Sequence, residues 1–183
     1  MSVESELKKP FIDKMLPVAW EIFAYSEIQP KILIAHAAHE SHWGTSQLAI
    51  RANNLFGLTA GSWAGRNKSL FGIPTREFCP EPPDEIRYWS VPGDIIEKKA
   101  SPNGGTDLMV NRYFRAYADW KASCDDWASL LTRRYPAAYI AAQLGKFEDF
   151  ARGLSGYATD PRYVEKICMY ADEPLLQNLV AEG

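Results

Sequence analysis

The stretch "KILIAHAAHESHW", residues 31–43, decides the fold: it is apolar or small on nearly every side, yet it carries three histidines and a carboxylate. Pro30 in front suits the first turn of a helix, and Gly44 behind suits its end. At about 100° per residue, Ile32, Leu33, His36, Glu40 and Trp43 fall within one sector, so Glu40 shares its stripe with apolar and aromatic side chains. Burial disfavours the charged form of a carboxyl, and the position therefore predicts a raised pKa, which is what a general acid near neutral pH needs. A buried glutamate paired to an arginine or a backbone amide satisfies the same pattern.

His36, His39 and His42 are all the histidines of the chain. The zinc-protease motif H-E-x-x-H needs two of them four apart on one helical face, and here each is three from the next. Cys79, Cys124 and Cys168 are widely spaced with no C-x-x-C pair, so neither a cysteine metal site nor a disulfide framework is expected. No metal and no cofactor are expected.

Working outward, Phe11, Ile12, Met15, Leu16, Ala19, Ile22 and Phe23 recur at helical spacing and predict an amphipathic first helix, kinked or restarted at Pro17. Residues 51–78 hold glycines, asparagines and short β-type runs, a turn-rich lobe with a small hairpin. Residues 79–111 turn to prolines, charges and "SPNGG", and predict an insertion or flap, functional or disordered if structureless. Helices then resume. "SCDDWASLLTRRY" is read as opening on a capping box of Ser123 and Asp126, "PAAYIAAQL" and "KFEDFARGL" as one or two short helices, and Asp160 with Pro161 as the start of a last helix through Tyr163, Ile167 and Tyr170.

The chain of 183 residues suits a single domain over 1–183, mainly α with a small β lobe at about 51–113. A net charge of -3 argues against nucleic acid as a partner, and no apolar run reaches membrane-spanning length, so no membrane insertion is expected. Near the N-terminus Asp13, Lys14, Pro17 and Glu21 interrupt any secretory core, so no signal peptide is expected. Six tryptophans and nine tyrosines supply flat faces that fill a core or stack on sugars.

The surroundings of Glu40 sharpen its reading. "HESHWGTSQLA" followed by "NNLFGLTAGSWAG" resembles the peptidoglycan-hydrolysing N-acetylglucosaminidases of glycoside hydrolase family 73, through Glu40, Ser41, Trp43 and Gly44, then Asn53, Asn54, Leu55, Phe56 and Gly57, then Trp63 and Gly65. "PTREF", "YFRAYADWKAS" and "GYATDPRYVEKI" continue the resemblance in the family's order, over about residues 11–170.

The resemblance implies a lysozyme-like helical domain with a small β-hairpin lobe bordering a substrate groove. It implies Glu40 as the general acid, Glu77 as a second carboxylate on the hairpin, and Tyr157 lining the cleft; His36, Trp43, Asn54, Phe56, Trp63 and Tyr117 are expected around the substrate. The three histidines depart from the family's pattern, and His36, one turn before Glu40, is the one best placed to tune the acid. The spacer from Glu77 to Phe114 is longer than the family's hairpin, so Glu81 and Glu85 compete with Glu77, and Trp89 serves either a saccharide or a local core.

The activity implied is cleavage of peptidoglycan glycan strands between N-acetylglucosamine and N-acetylmuramic acid. An oxocarbenium-like transition state needs the acid on one side and a carboxylate or the substrate's own acetamido group on the other, and sequence leaves the stereochemical course open. A muramidase or lytic transglycosylase cutting the other glycan bond is the alternative enzyme, and an inactive glycan-binding or assembly module the alternative from another class. The expected setting is a monomer made in the cytoplasm that reaches the periplasm or wall through a holin, as a lysis enzyme, or through a secretion machine, with an immunity partner in the second case.

Overall fold

The computed structural model describes residues 3–61, 70–79, 95–102, 104–157 and 162–177. Two compact units emerge, one of Met1–Leu58 with Tyr117–Gly183 and one of Thr59–Ala116.

The first unit is helical. Helix α1, Val3–Ser26, buries Phe11, Ile12, Met15, Ala19 and Ile22, the stripe expected from spacing. It runs as one element through Pro10 and Pro17 instead of restarting. Both prolines are exposed, on the side where water can take up the backbone carbonyl that each ring leaves without a donor.

Helix α2, Pro30–Ser41, opens with its proline in the first turn and is the centre of the unit. Nine of its twelve residues are buried, so it has no solvent face of ordinary width, and a helix apolar all round belongs inside a core. Ala35, Ala37 and Ala38 keep its girth small where α1 and a later helix pack on it. Replacing a fully buried Leu33 by alanine would cost about 2–5 kcal/mol.

Helix α3, Gln47–Ala52, is capped by Ser46, whose side chain accepts from the Ala49 amide. Helix α4, Trp120–Arg134, starts three residues before the expected capping box. Its cap is Asp119, accepting from the Ala122 amide at 2.8 Å, while Ser123 is buried and its Oγ accepts from the Leu55 amide. Helices α5, Pro136–Gln143, and α6, Phe147–Gly153, are the two short helices read from the pattern. Helix α7, Tyr163–Ala171, buries Tyr163 and Ile167 and packs on α2, and the one-turn α8, Pro174–Gln177, closes the order. Asp160 and Pro161 lie outside the described residues.

The second unit is a three-stranded antiparallel sheet. Strands β1, Leu70–Cys79, β2, Ile95–Ala100, and β3, Thr106–Arg115, lie in the order β1-β3-β2. The β1–β3 pairing runs unbroken from Leu70 opposite Arg115 to Cys79 opposite Thr106. Residues 79–111 are therefore not one structureless insertion: β2 and most of β3 fall inside it. The sheet has its own small core of Cys79, Leu108 and Val110, with Ile95 packed against it. Residues 80–94, with Glu81, Glu85 and Trp89, lie outside the described residues.

Among the described residues no helix is long and apolar enough to cross a membrane.

Candidate active site

Glu40 is the penultimate residue of α2, and the chain turns sharply behind it. Ser41 donates its hydroxyl to the Ala37 carbonyl at 2.6 Å and accepts from the Gly44 amide at 2.8 Å. His42, Trp43 and Gly44 all hold left-handed backbone, with φ of 51°, 56° and 76°. Such a run is uncommon for non-glycine residues and costs strain, and strain of this kind gathers at functional sites. The third position requires glycine twice over, since a Cβ there would also come within 2.9 Å of Phe11 and 3.0 Å of Trp120.

The Glu40 side chain keeps 19% of its surface exposed, while His36, one turn back, is fully buried. The Tyr163 hydroxyl donates to Glu40 Oε1 at 2.6 Å, and His36 Nε2 lies 2.9 Å from that hydroxyl and 3.5 Å from the same Oε1. Among the described residues neither an arginine nor a backbone amide plays the partner. Burial, the largest single influence, pushes the Glu40 pKa up; the hydrogen bond and attraction of His36, the Tyr163 hydroxyl and the attraction of His39 push it down and together prevail. The carboxyl of the free protein thus titrates below its ordinary value, opposite to the direction read from the apolar stripe, because the stripe did not reveal the donors. Burial and the neighbouring carboxylate push Tyr163 far above the usual phenol range, which keeps its proton in place to be donated.

The three histidines diverge. His36 points into a shell of rings made by Phe56, Trp127, Phe150 and Tyr157, at centroid distances of 5.2–5.6 Å. His39 packs edge-on against Tyr163 and Tyr170, and burial lowers its pKa. His42 is exposed. Among the described residues no three histidine, cysteine or acidic side chains gather as a metal site would require.

Tyr157 stacks on Tyr163 with centroids 6.1 Å apart and donates its hydroxyl to the Phe56 carbonyl at 2.9 Å. Its ring lies against Tyr163, whose hydroxyl donates to the acid. The sequence pattern gives Tyr163 only as a member of the last helix, with Ile167 and Tyr170. The available signal was that a tyrosine buried on an apolar stripe needs a polar partner for its hydroxyl, and α2 offers His36 and Glu40.

Three of the residues expected around the substrate present no surface to one. His36, Asn54 and Phe56 are 0–1% exposed. Asn54 instead locks the "NNLFGL" turn, donating to the Leu58 carbonyl and accepting from the Leu58 amide, both at 3.0 Å. Phe56 stacks on Trp127 at 4.8 Å. Trp43 is half-buried, with one face stacked on Tyr170 and its edge met by Phe11. The Tyr117 hydroxyl donates to Asp126 at 2.7 Å. Trp63 lies outside the described residues.

In the sheet unit, Glu77 sits on β1 with its side chain 31% exposed and its Oε1 3.1 Å from Nη1 of Arg112 on β3. A recess of about 300 Å³, lined by Arg76, Glu97, Lys99, Asp107, Leu108 and Met109, opens on the same sheet. Glu77 is not among its lining residues.

A family model described as mannosyl-glycoprotein endo-beta-N-acetylglucosaminidase matches residues 16–174. The chain is 31% identical over 173 residues to the exo-glucosaminidase LytG of Bacillus subtilis, across 90% of this chain and 50% of that protein. It is 29% identical over 163 residues to the peptidoglycan hydrolase FlgJ of Vibrio parahaemolyticus, across 86% and 44%. The C-terminally truncated glycoside hydrolase domain of Salmonella typhimurium FlgJ matches its structure with a TM-score of 0.60 at 27% identity, over 96% of this chain and 99% of that one. A peptidoglycan hydrolase from Sphingomonas sp. A1 matches with a TM-score of 0.62 at 25% identity, over 95% and 94%. The chain spans about half the length of the curated relatives it matches. The mainly helical, lysozyme-like fold implied by the sequence motifs is the fold of these neighbours.

Proposed function

We propose, since the chain belongs to the glucosaminidase family, that it hydrolyses the β-1,4 bond between N-acetylglucosamine and N-acetylmuramic acid in peptidoglycan, with Glu40 as the general acid. The observation that carries this reading is the state of Glu40: a carboxyl on the last turn of the most enclosed helix, four-fifths covered, with one oxygen anchored by Tyr163.

A general acid must hold a proton when the bond breaks, whereas the free carboxyl is biased toward the ionised form. Substrate resolves the difference. A saccharide laid over the exposed fifth of the side chain strips its remaining water, adds to the burial effect that already outweighs each single donor, and tips the group toward its protonated form. The proton then passes to the departing glycosidic oxygen as the C1–O bond breaks, a contribution of about 10²- to 10⁴-fold.

Glu77 is the second carboxylate of this reading, held by Arg112 on the sheet, and Tyr157 backs the acid from behind Tyr163. Glycan strands are the partner, the wall is the place of action, and delivery by a holin or by a secretion machine with an immunity partner completes the proposal.

The test is digestion of purified peptidoglycan by the wild type, Glu40→Gln and Glu77→Gln, with reduction of the products and mass spectrometry of the new reducing ends. Reduced N-acetylglucosamine, lost with Glu40→Gln and much diminished with Glu77→Gln, is the expected result. Reduced or anhydro muramic acid would make the chain a muramidase or transglycosylase. Full activity in Glu77→Gln would pass the second role to Glu81 or Glu85, and release of single sugars from strand ends alone would make the action exo. No release by any of them would leave a glycan-binding module.

A further inference from the structure

His36 and Tyr163 form with Glu40 a hydrogen-bonded chain whose polarity can be read from the atoms. A tyrosine hydroxyl has one hydrogen. At 2.6 Å from a carboxylate, which only accepts, that hydrogen belongs to the Tyr163–Glu40 bond. The hydroxyl oxygen, 2.9 Å from His36 Nε2, therefore meets the imidazole as an acceptor, and Nε2 carries a hydrogen. The other ring nitrogen, Nδ1, is buried with no hydrogen-bond partner among the described residues. A hydrogen there would be stranded away from water, so the imidazole enters the chain through its Nε2–H. Donation runs one way, from His36 to Tyr163 to Glu40.

The setting keeps the chain intact. His39 faces it from α2, with His42 beyond; Lys166 comes with Tyr163 from α7; Tyr157 faces it from the turn after α6, and Tyr135 from the junction of α4 and α5. Phe56, Trp127 and Phe150 form the rest of the wall around the imidazole. For the hydrogen on Nε2 the Tyr163 hydroxyl, at 2.9 Å, is the nearer acceptor, with Oε1 of Glu40 at 3.5 Å.

We propose that His36 is a positioning residue which, through Tyr163, holds Oε1 of Glu40 as a fixed acceptor, so that the proton given to the substrate is carried on Oε2, at a pH set by the His36–Tyr163 pair. This rests on Glu40 being the acid. During the reaction the Oε2 proton moves to the glycosidic oxygen, which keeps the bonding pair of the broken C1–O bond; a water oxygen supplies the pair for the new bond to C1, and the proton that water sheds makes good the one Oε2 gave up. The two hydrogens of the chain stay where they are. Because both donors favour the carboxylate, removing either raises the pH at which Glu40 holds its proton.

The experiment is a ¹³C NMR titration of the glutamate carboxyl carbons, with Glu40 assigned by its loss in Glu40→Gln, on the wild type, Tyr163→Phe, His36→Leu and His36→Gln, beside the pH profile of glycan release. Tyr163→Phe is expected to move the Glu40 titration upward by about one to two pH units, the equivalent of a hydrogen bond to a charged group. His36→Leu moves it the same way by less, and His36→Gln, which keeps an amide donor, returns it toward the wild type, with the basic limb of the profile following. An unmoved titration in His36→Leu, with Tyr163→Phe shifted, would overturn the proposal. A ¹⁵N spectrum of the wild-type imidazole, which needs no variant to fold, must show the hydrogen on Nε2; a hydrogen on Nδ1 overturns it equally. Absence of glycan release by the wild type would sink the functional reading alone, since the titration and the tautomer are read without catalysis.

Discussion

Tyr157 and Phe56 are tied across 101 residues of sequence by one bond, the tyrosine hydroxyl donating to the Phe56 carbonyl at 2.9 Å. That bond fastens the turn after α6 to the "NNLFGL" segment, whose anchors also include the Asn54 side chain, the Leu55 amide on Ser123 and the Phe56–Trp127 stack. Tyr157→Phe keeps the ring on Tyr163 and deletes this tie. The expected cost is about 1 kcal/mol, seen as a lowered melting temperature, with the Glu40–Tyr163 contact kept. A melting curve matching the wild type would mean that the hydroxyl is held to no effect.

The two pH profiles of glycan release are expected to separate. The basic limb of kcat/KM reports Glu40 in the free protein, where its pKa is depressed, and that of kcat reports it beneath substrate, where the remaining water is gone. The kcat limb should therefore lie at higher pH. Stability carries the opposite signature: a depressed folded pKa contributes stability that is full above the ordinary value of 4.5 and is lost as pH falls through the folded value. Urea melts of the wild type and Glu40→Gln from pH 7 to pH 3 should show a shallower loss in the variant.

His39→Ala combined with His42→Ala should retain most of the wild-type rate. His42 is exposed, and His39 fills a place between Tyr163 and Tyr170 without a hydrogen bond to the acid. Rates measured with and without a chelator check the same point. Abolished activity in a folded double variant, or sensitivity to the chelator, would reopen a metal site.

Gly44→Ala should destabilise by about 1–3 kcal/mol. The methyl group enters a left-handed backbone position and meets Phe11 and Trp120, whose rings pack on each other at 5.4 Å. Denaturant unfolding measures it, and a neutral outcome would mean that the turn behind Glu40 relaxes more freely than its packing indicates.

Local signals carried much of this fold. Pro30 and an apolar run identified α2, and the Phe11 to Ile22 spacing identified α1, because helix and burial both follow a short-range period. The sheet was harder to see. The alternation of Leu108 and Val110 is present, but β2 is a charged strand, "IIEKKA", exposed almost throughout, and its pairing with β3 is a tertiary event. The α4 cap was misplaced for a similar reason: Ser123 looked free to cap and is spent on the Leu55 amide, far away in sequence. At the site Glu40 was legible and its donors were not. A residue type announces that it can donate, but only the fold shows to whom, and Tyr163 lies 123 positions from Glu40.

The enclosure of α2 has a consequence for how the protein fails. Amides in a helix so thoroughly surrounded exchange with solvent chiefly when the whole helical unit opens. Glu40 rides on the last turn of that helix, so no partial opening can displace its carrier while the rest stands. Heating should leave the chemistry intact up to the melting transition and abolish it there, with inactivation and unfolding tracing one curve. Variation that loosens the interior would register as lost turnover and lost protein together.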